Sequence, residues 1–110
     1  MKIVHASTSG KVPFVAVDST DLVTRETGLT SFTVEYSLNG GTSVTMTTPT
    51  TTEIDSTDQP GVYWLDVDES GMTTLGSGAQ FGVLQITVKK TGMATAELVV
   101  DIERPSVTAG

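Results

Sequence analysis

The segment formed by residues 61–69 is the feature that most constrains how this chain can fold. It reads Gly-Val-Tyr-Trp-Leu-Asp-Val-Asp-Glu and contains the single tryptophan of the sequence. Its β-branched, aromatic and aliphatic residues are typical of a pleated, half-buried strand. Because side chains alternate between the two faces of a strand, Tyr63, Leu65 and Val67 share one face, and Val62 and Trp64 share the other. The segment therefore predicts a central strand, and we expect Trp64 to lie in the core.

The clearest alternation of apolar and polar residues lies in residues 30–38, where the apolar positions are Phe32, Val34, Tyr36 and Leu38. Such alternation predicts an antiparallel strand with one buried and one solvated face. The Asn-Gly-Gly sequence at residues 39–41 supplies the positive φ angles of a tight hairpin. Residues 42–47 are therefore the predicted return strand.

Five further segments have the composition of strands: residues 3–4, 11–18, 51–55, 80–90 and 93–103. Pro13 lacks a backbone N–H, which indicates an edge position for the second of these segments. In residues 11–18, Phe14 and Ala16 share one face, and Val15 and Val17 share the other. The predicted inward residues of the last two strands are Leu84, Ile86, Val88, Ala94, Ala96, Leu98, Val100 and Ile102. In the polar connection at residues 18–28, we expect Leu22 and Val23 to fold back onto the core.

Two segments interrupt the pattern of strands. Met72 and Leu75 are three positions apart, so one helical turn near residues 70–75 would place both on the core. Residues 45–52 are rich in threonine, which favours strands. They predict two short strands joined at residues 48–50, although such a run is also typical of a mobile linker.

Together these segments predict an all-β fold, namely an antiparallel immunoglobulin-like β-sandwich of seven to eight strands with one short helical turn near residues 70–75. A small closed barrel is the alternative. The length of 110 residues indicates a single domain, residues 1–110. Residues 1–10 form an N-terminal arm or edge strand in this interpretation, and residues 104–110 form a flexible tail.

Composition and charge exclude several classes of function. The sequence has no cysteine, so it can form neither a disulfide framework nor a thiolate metal site. Its net charge of −7 repels phosphate backbones and anionic lipid, so we expect neither nucleic acid nor membrane as a partner. The apolar runs are too short to span a bilayer, and residues 1–7 lack the hydrophobic region of a secretory signal. We therefore expect no secretion by that route.

No motif in the chain predicts catalysis. His5 is the only histidine, and no Gly-x-Ser-x-Gly sequence is present to hold a nucleophile. Asp66, Asp68 and Glu69 are the best candidates for a hard cation such as calcium, but their spacing is not that of an EF-hand, and acidic residues at a strand end are usually solvated. We therefore expect no catalytic, cofactor-binding or metal-binding residues.

Aspartates in two other places are typical of turns rather than of sites. Asp18 and Asp21 form one such pair, and Asp55 and Asp58 form the other. The short aspartate side chain readily accepts hydrogen bonds from the backbone that follows it. We therefore expect these carboxylates to stabilise turns.

The order of several short motifs resembles that of immunoglobulin-like domains in the virion structural proteins of tailed bacteriophages. The matching segments are residues 13–18, 24–30, 32–41, 52–54, 61–67 and 71–76, within residues 11–103. They include Thr-Gly-Leu-Thr at residues 27–30 and Gly-Val-Tyr-Trp-Leu at residues 61–65. The resemblance implies a non-enzymatic subunit in capsid decoration, neck, tail, baseplate or fibre attachment, without catalytic residues.

The resemblance also implies partners and a location. The partners would be other virion proteins, namely major capsid, tail or neck proteins, and the chain would form a homo-oligomer in a virion that is assembled in the host cytoplasm. Residues 1–6 would add to the sheet of a neighbour or, as we favour, form the first strand of their own domain. The alternative function is a carbohydrate- or cell-surface-binding module, which would expose Trp64 or Tyr63.

Overall fold

The computed structural model describes residues 1–104, and within them eight strands form two sheets. The long sheet has the strand order β1-β8-β7-β3-β4, and the short sheet has the order β2-β6-β5. The elements are β1 (Lys2–Val4), β2 (Gly10–Val15), β3 (Thr33–Leu38), β4 (Val44–Thr45), β5 (Thr51–Asp55), β6 (Gln59–Val67), a 3₁₀ turn (Ser70–Met72), β7 (Phe81–Lys89) and β8 (Ala96–Glu103). The prediction of an all-β chain is confirmed, and its strands form two separate sheets rather than one closed sheet.

The prediction of a purely antiparallel arrangement is wrong for one strand pair. β1 runs parallel to β8, with Lys2 opposite Asp101 and Val4 opposite Glu103, whereas the other strand pairs are antiparallel. The long sheet is therefore mixed. β1 and β8 are far apart in sequence, so no hairpin constrains their relative direction. Tertiary packing alone decides it.

The central position predicted for residues 61–69 is confirmed, because β6 lies between β2 and β5. Tyr63, Leu65 and Val67 point inward and are at most 1 % exposed. The ring of Phe14 stacks on that of Tyr63, and Phe32 meets Tyr63 edge-on, each at a centroid distance of 5.4 Å. This aromatic cluster contributes to the contact between the two sheets.

The inward face of the long sheet completes the core with mainly aliphatic side chains. Its buried residues are Ile3, Val34, Tyr36, Leu84, Ile86, Val88, Val100 and Ile102. Met72 and Leu75 are also buried, as predicted for a helical turn in this region. The threonine-rich segment contributes two short strands, as predicted, and they lie in different sheets.

The expectation that Trp64 lies in the core is wrong. Trp64 lies on the outer face of the short sheet and is half-buried, between Pro13 of β2 and Thr52 of β5. Adjacent residues of a strand point to opposite faces, so Tyr63 and Trp64 cannot both enter one core. Only one face of the short sheet contacts the long sheet, and that face carries Tyr63.

The expectation that Leu22 and Val23 fold onto the core is also wrong, since they are 63 % and 74 % exposed. Asp18 Oδ1 accepts two backbone N–H groups from the residues that follow it, and so does Asp21 Oδ1. These consecutive turns hold the segment at the surface, with Leu22 at a φ of 58°. The predicted turn role of both aspartates is thereby confirmed.

β8 begins later than the sequence predicts, at Ala96 rather than at residue 93. Ala94, Ala96 and Leu98, all predicted to point inward, are only half-buried. Arg104 follows β8, and its side chain donates hydrogen bonds to the carbonyl oxygens of Ala79 and Gly76, at 3.0 and 3.3 Å. The rest of the predicted flexible tail, residues 105–110, lies outside the described residues.

Asp55 forms a third turn of the same kind, and its contribution to stability depends on pH. Its Oδ1 accepts the backbone N–H groups of Asp58 at 3.0 Å and of Thr57 at 2.8 Å. Both hydrogen bonds favour the ionised carboxylate, and they hold the pKa of Asp55 below its ordinary value. A group with a lowered folded-state pKa stabilises the fold above its unfolded-state pKa, and this stabilisation is lost as the pH falls through the folded-state pKa.

We expect Asp55→Asn to flatten the loss of stability in acid, because asparagine keeps an oxygen acceptor but has no proton to gain. The urea midpoint of the wild type should fall more steeply than that of D55N from about pH 4 to about pH 2, below the ordinary aspartate pKa. Asp58→Asn is the matched control, since it removes a charge from the same turn and leaves the accepting side chain intact. Equal slopes for the wild type and D55N would contradict the prediction.

Candidate functional site

The three acidic residues that the sequence suggested for a cation do not converge. Asp66 lies on the outer face of the short sheet and accepts a hydrogen bond from Lys11 Nζ at 2.9 Å. Asp68 is exposed beyond the end of β6, and Glu69 accepts the backbone N–H of Thr47 at 2.9 Å. Among residues 1–104, no group of three or more side chains of His, Cys, Asp or Glu is placed to hold a metal ion.

His5 connects the N-terminal segment to the chain around the 3₁₀ turn. Its Nδ1 accepts the backbone N–H of Leu75 at 3.0 Å. Next to it, Thr73 accepts the N–H of Ala6 through its carbonyl oxygen and donates its hydroxyl to the carbonyl oxygen of Ser7, at 3.0 and 2.8 Å. The single histidine therefore has a structural contact that orients β1.

The outer face of the long sheet carries an unusual set of exposed apolar side chains, which we call the apolar ridge: Val4, Phe81, Val83 and Val99. They are 53 %, 67 %, 47 % and 67 % exposed, respectively. Phe81 and Val83 are neighbours along the outer face of β7, and Val99 is diagonal to Val83 on β8. Val4 lies on the other side of β8 from Phe81. Glu103 separates Val4 from Phe81, so Val4 lies apart from the cluster formed by Phe81, Val83 and Val99. Isolated exposed apolar residues are normal, but such a cluster indicates a contact surface.

Charged residues surround the apolar ridge and are mostly acidic. Lys2 forms an ion pair with Glu103 at 3.3 Å, and the exposed Asp101 lies between Lys2 and Val83 in the register of the sheet. Such exposed ion pairs add little stability. A shallow depression of about 350 Å³ lies beside Phe81 and Val83, and its polar lining consists of Lys2, Asn39, Asp101 and Glu103. This surface is complementary to a partner surface that is apolar at its centre and carries lysine or arginine side chains around its edge.

The outer face of the short sheet is the second candidate surface. The half-buried ring of Trp64 lies between Pro13 and Thr52, and Val15 nearby is 42 % exposed. One row along the sheet, the pair formed by Lys11 and Asp66 provides a donor and an acceptor beside the ring. A partly exposed aromatic ring with polar neighbours on the outer face of a sheet can stack on a sugar.

The sequence-based prediction missed the apolar ridge, although the sequence contains a signal for it. Phe81 and Val83 occupy the alternate positions of β7 to the buried Leu84, and Val99 occupies the alternate position of β8 to the buried Val100. Apolar residues at both parities of a strand indicate burial on both faces. The second face of these strands has no covering element among the described residues.

Comparisons with protein-family models, with curated proteins and with solved structures found no match. Within the described part of the chain, no helix has the length and apolar character that crossing a membrane requires. The function must therefore be inferred from the surfaces of this chain itself.

Proposed function

We propose that this chain is a non-enzymatic structural protein of a bacteriophage virion. It serves as a small capsid decoration or accessory subunit, or as a component of the neck, tail or baseplate. It acts through protein–protein contacts with major capsid, tail or neck proteins and as a homo-oligomer, and its location is the virion, assembled in the host cytoplasm. The resemblance of residues 11–103 to immunoglobulin-like virion domains suggests this class of function, and the two-sheet all-β fold is compatible with it.

The observation that carries the proposal is the apolar ridge. Phe81, Val83 and Val99 expose roughly half or more of their side chains on one face of the long sheet. Contiguous apolar surface of this kind on a small soluble chain is characteristic of contact with another protein. A subunit held in a particle by its neighbours would bury this ridge, and water would be excluded from the contact.

The test is quantitative mass spectrometry of purified virus particles, scored as copies of this chain per copy of the major shell protein. We expect a fixed ratio. A ratio comparable to that of the shell protein would identify head decoration, and a few copies per particle would identify the neck, tail or baseplate. Absence from purified particles would overturn the proposal.

A matched pair of variants tests whether the apolar ridge makes the contact. Val83→Ser removes one side chain of the ridge, and Val15→Ser makes the same change at a similarly exposed position on the short sheet. We expect V83S to lower the number of copies retained per particle and V15S to leave it unchanged. Equal retention of both variants would show that the apolar ridge does not hold this chain in the particle.

A carbohydrate- or cell-surface-binding module is the second candidate, and the position of Trp64 favours it. An aromatic ring on an open sheet, with Lys11 and Asp66 one row away, can stack on a sugar ring and hydrogen-bond its hydroxyl groups. Titration with a panel of glycans, read by Trp64 fluorescence, tests this candidate. A shift in emission that Trp64→Phe abolishes would support it, and emission that no glycan changes would remove its main support.

A further inference from the structure

We infer that the open edge of β8, defined as residues 96–100, binds an extended cationic strand of another protein. β1 pairs with β8 only over residues 101–103. The first five residues of β8 therefore have β7 on one side, and no strand within residues 1–104 is hydrogen-bonded to their other side. β2 passes close to β8, and residues 17–19 that follow β2 pair with residues 92–94, just before the open edge begins. An unpaired strand edge is a template for the addition of another strand.

The backbone of the open edge is oriented for this pairing. The Asp101 N–H donates to the carbonyl oxygen of Met1 at 3.0 Å, and the carbonyl oxygen of Glu103 accepts the N–H of His5 at 2.9 Å. Alternate residues of a strand direct their backbone groups to the same neighbour. Glu97 and Val99 therefore direct two N–H and two C=O groups toward the open edge, in line with the ladder that β1 already makes.

Side chains along β8 differ between its covered and its open half. Ile102, in the part covered by β1, is 0 % exposed, and Val100, the residue of the open edge next to that part, is 2 % exposed. Ala96 and Leu98 also pack against the core, but they remain half-buried. On the outer face, Val99 is 67 % exposed. A strand added at the open edge would cover the flanks of Leu98 and Val99 as β1 covers that of Ile102.

Charge identifies the chemistry of the added strand. Glu97 and Asp101 are exposed on the outer face on either side of Val99, and the chain as a whole carries a net charge of −7. A second copy would bring the same net charge, so electrostatics disfavour it as the occupant. A strand with aliphatic side chains toward Leu98 and lysine or arginine side chains toward Glu97 complements both faces of the edge.

This inference rests on the proposed function, since it names one contact surface of a structural subunit. The two can nevertheless fail separately. Binding at the open edge is measured on the purified protein, whereas incorporation is measured on particles.

The experiment uses an eight-residue peptide in which lysine alternates with valine, blocked at both ends, and follows amide hydrogen exchange of the protein by NMR. At saturating peptide we expect exchange of the Glu97 and Val99 amides to slow by about tenfold, as one new hydrogen bond at each amide would produce. The same peptide with glutamate in place of lysine should leave these amides unchanged. Equal effects of the two peptides, or no effect of either, would overturn the inference.

Val99→Pro removes one outward N–H and leaves the hydrogen bonds to β7 in place, because proline is tolerated where the N–H of an edge strand faces solvent. We expect V99P to abolish protection at Glu97, while the matched control Val99→Thr retains it. Native-like exchange at Leu98 and Val100 reports that V99P is folded.

A lysine–valine peptide with alternate N-methyl groups tests the same hydrogen bonds without altering the protein, and protection by this peptide would contradict the inference. Slow exchange that depends on protein concentration without peptide would assign the edge to a second copy instead.

Discussion

Replacing Gly61 with alanine should lower the free energy of unfolding by roughly 2–5 kcal/mol, since a positive φ costs about 1–2 kcal/mol and overpacking costs about 1–3 kcal/mol. Gly61 is buried in β6 at a φ of 76°, a conformation that residues with a Cβ rarely adopt. A Cβ there would lie 2.9 Å from the carbonyl oxygen of Ala16 and 2.9 Å from Arg25 Cβ. The carbonyl oxygen of Gly61 also accepts the backbone N–H of Ala16 at 2.8 Å, so β6 cannot move away from Ala16 without losing this hydrogen bond.

Urea unfolding of three glycine variants separates the two causes. Gly28 has a φ of 68° with no atom within 4 Å of an added Cβ, so Gly28→Ala measures the cost of the backbone conformation alone. Gly76 has open space and no positive φ, so Gly76→Ala should be neutral or stabilising by up to about 1 kcal/mol. We expect G76A to be the most stable of the three variants, G28A to be intermediate and G61A to be the least stable. A G61A variant as stable as G28A would show that the close contacts at residue 61 relax without cost.

Replacing Tyr63 with phenylalanine should lower the free energy of unfolding by about 1–3 kcal/mol. The Tyr63 hydroxyl donates to the carbonyl oxygen of Glu26 at 2.9 Å and accepts the backbone N–H of Leu29 at 3.1 Å. Phenylalanine keeps the ring contacts with Phe14 and Phe32 but leaves both backbone groups without this partner. The connection between β2 and β3 should loosen while the core stays packed.

Urea unfolding together with amide exchange tests this prediction. In Y63F the Leu29 amide should exchange faster, whereas the amides of β6 should change only with global stability. Tyr36→Phe is the matched control, because the hydroxyl of Tyr36 lies against Gly71 rather than across that connection. Y36F should leave exchange at Leu29 unchanged. A Y63F variant with wild-type stability and wild-type exchange at Leu29 would contradict the structural role of this hydroxyl.

Local patterns predicted those parts of the fold in which one residue determines the conformation of its neighbours. The alternation in residues 30–38 located β3, and the Asn-Gly-Gly sequence located the turn that follows it, with positive φ at Asn39 and Gly40. The predicted tight hairpin with a return strand at residues 42–47 is wrong in its extent, since β4 covers only residues 44–45 and pairs with β3 across a longer connection. Asp18, Asp21 and Asp55 act as turn acceptors because their partners lie two or three residues along the chain. These features depend on short-range geometry, which the order of residues specifies directly.

Predictions that required knowledge of the other sheet were less successful. Trp64 was expected in the core because large aromatic residues are usually well buried, but its face of the short sheet has no covering layer among the described residues. Leu22 and Val23 were expected inward because aliphatic side chains are usually buried, but turn hydrogen bonds hold them at the surface. The hydrophobicity of a residue alone does not predict whether another element of the fold covers its face of the strand or its loop.

The candidate surfaces also combine local features that the sequence determines with long-range features that it does not. Alternation within β7 and β8 determined that Phe81, Val83 and Val99 share the face opposite Leu84 and Val100. Only tertiary structure placed them together as the apolar ridge and paired β1 in parallel with the far end of β8, leaving residues 96–100 as an open edge. Pairing between distant strands depends on packing and loop closure across the whole chain, whereas the period of a strand is a local property. The sequence by itself therefore determined where most strands and turns lie and which residues share a face of a strand, and the tertiary structure decided which of those faces and edges another element covers.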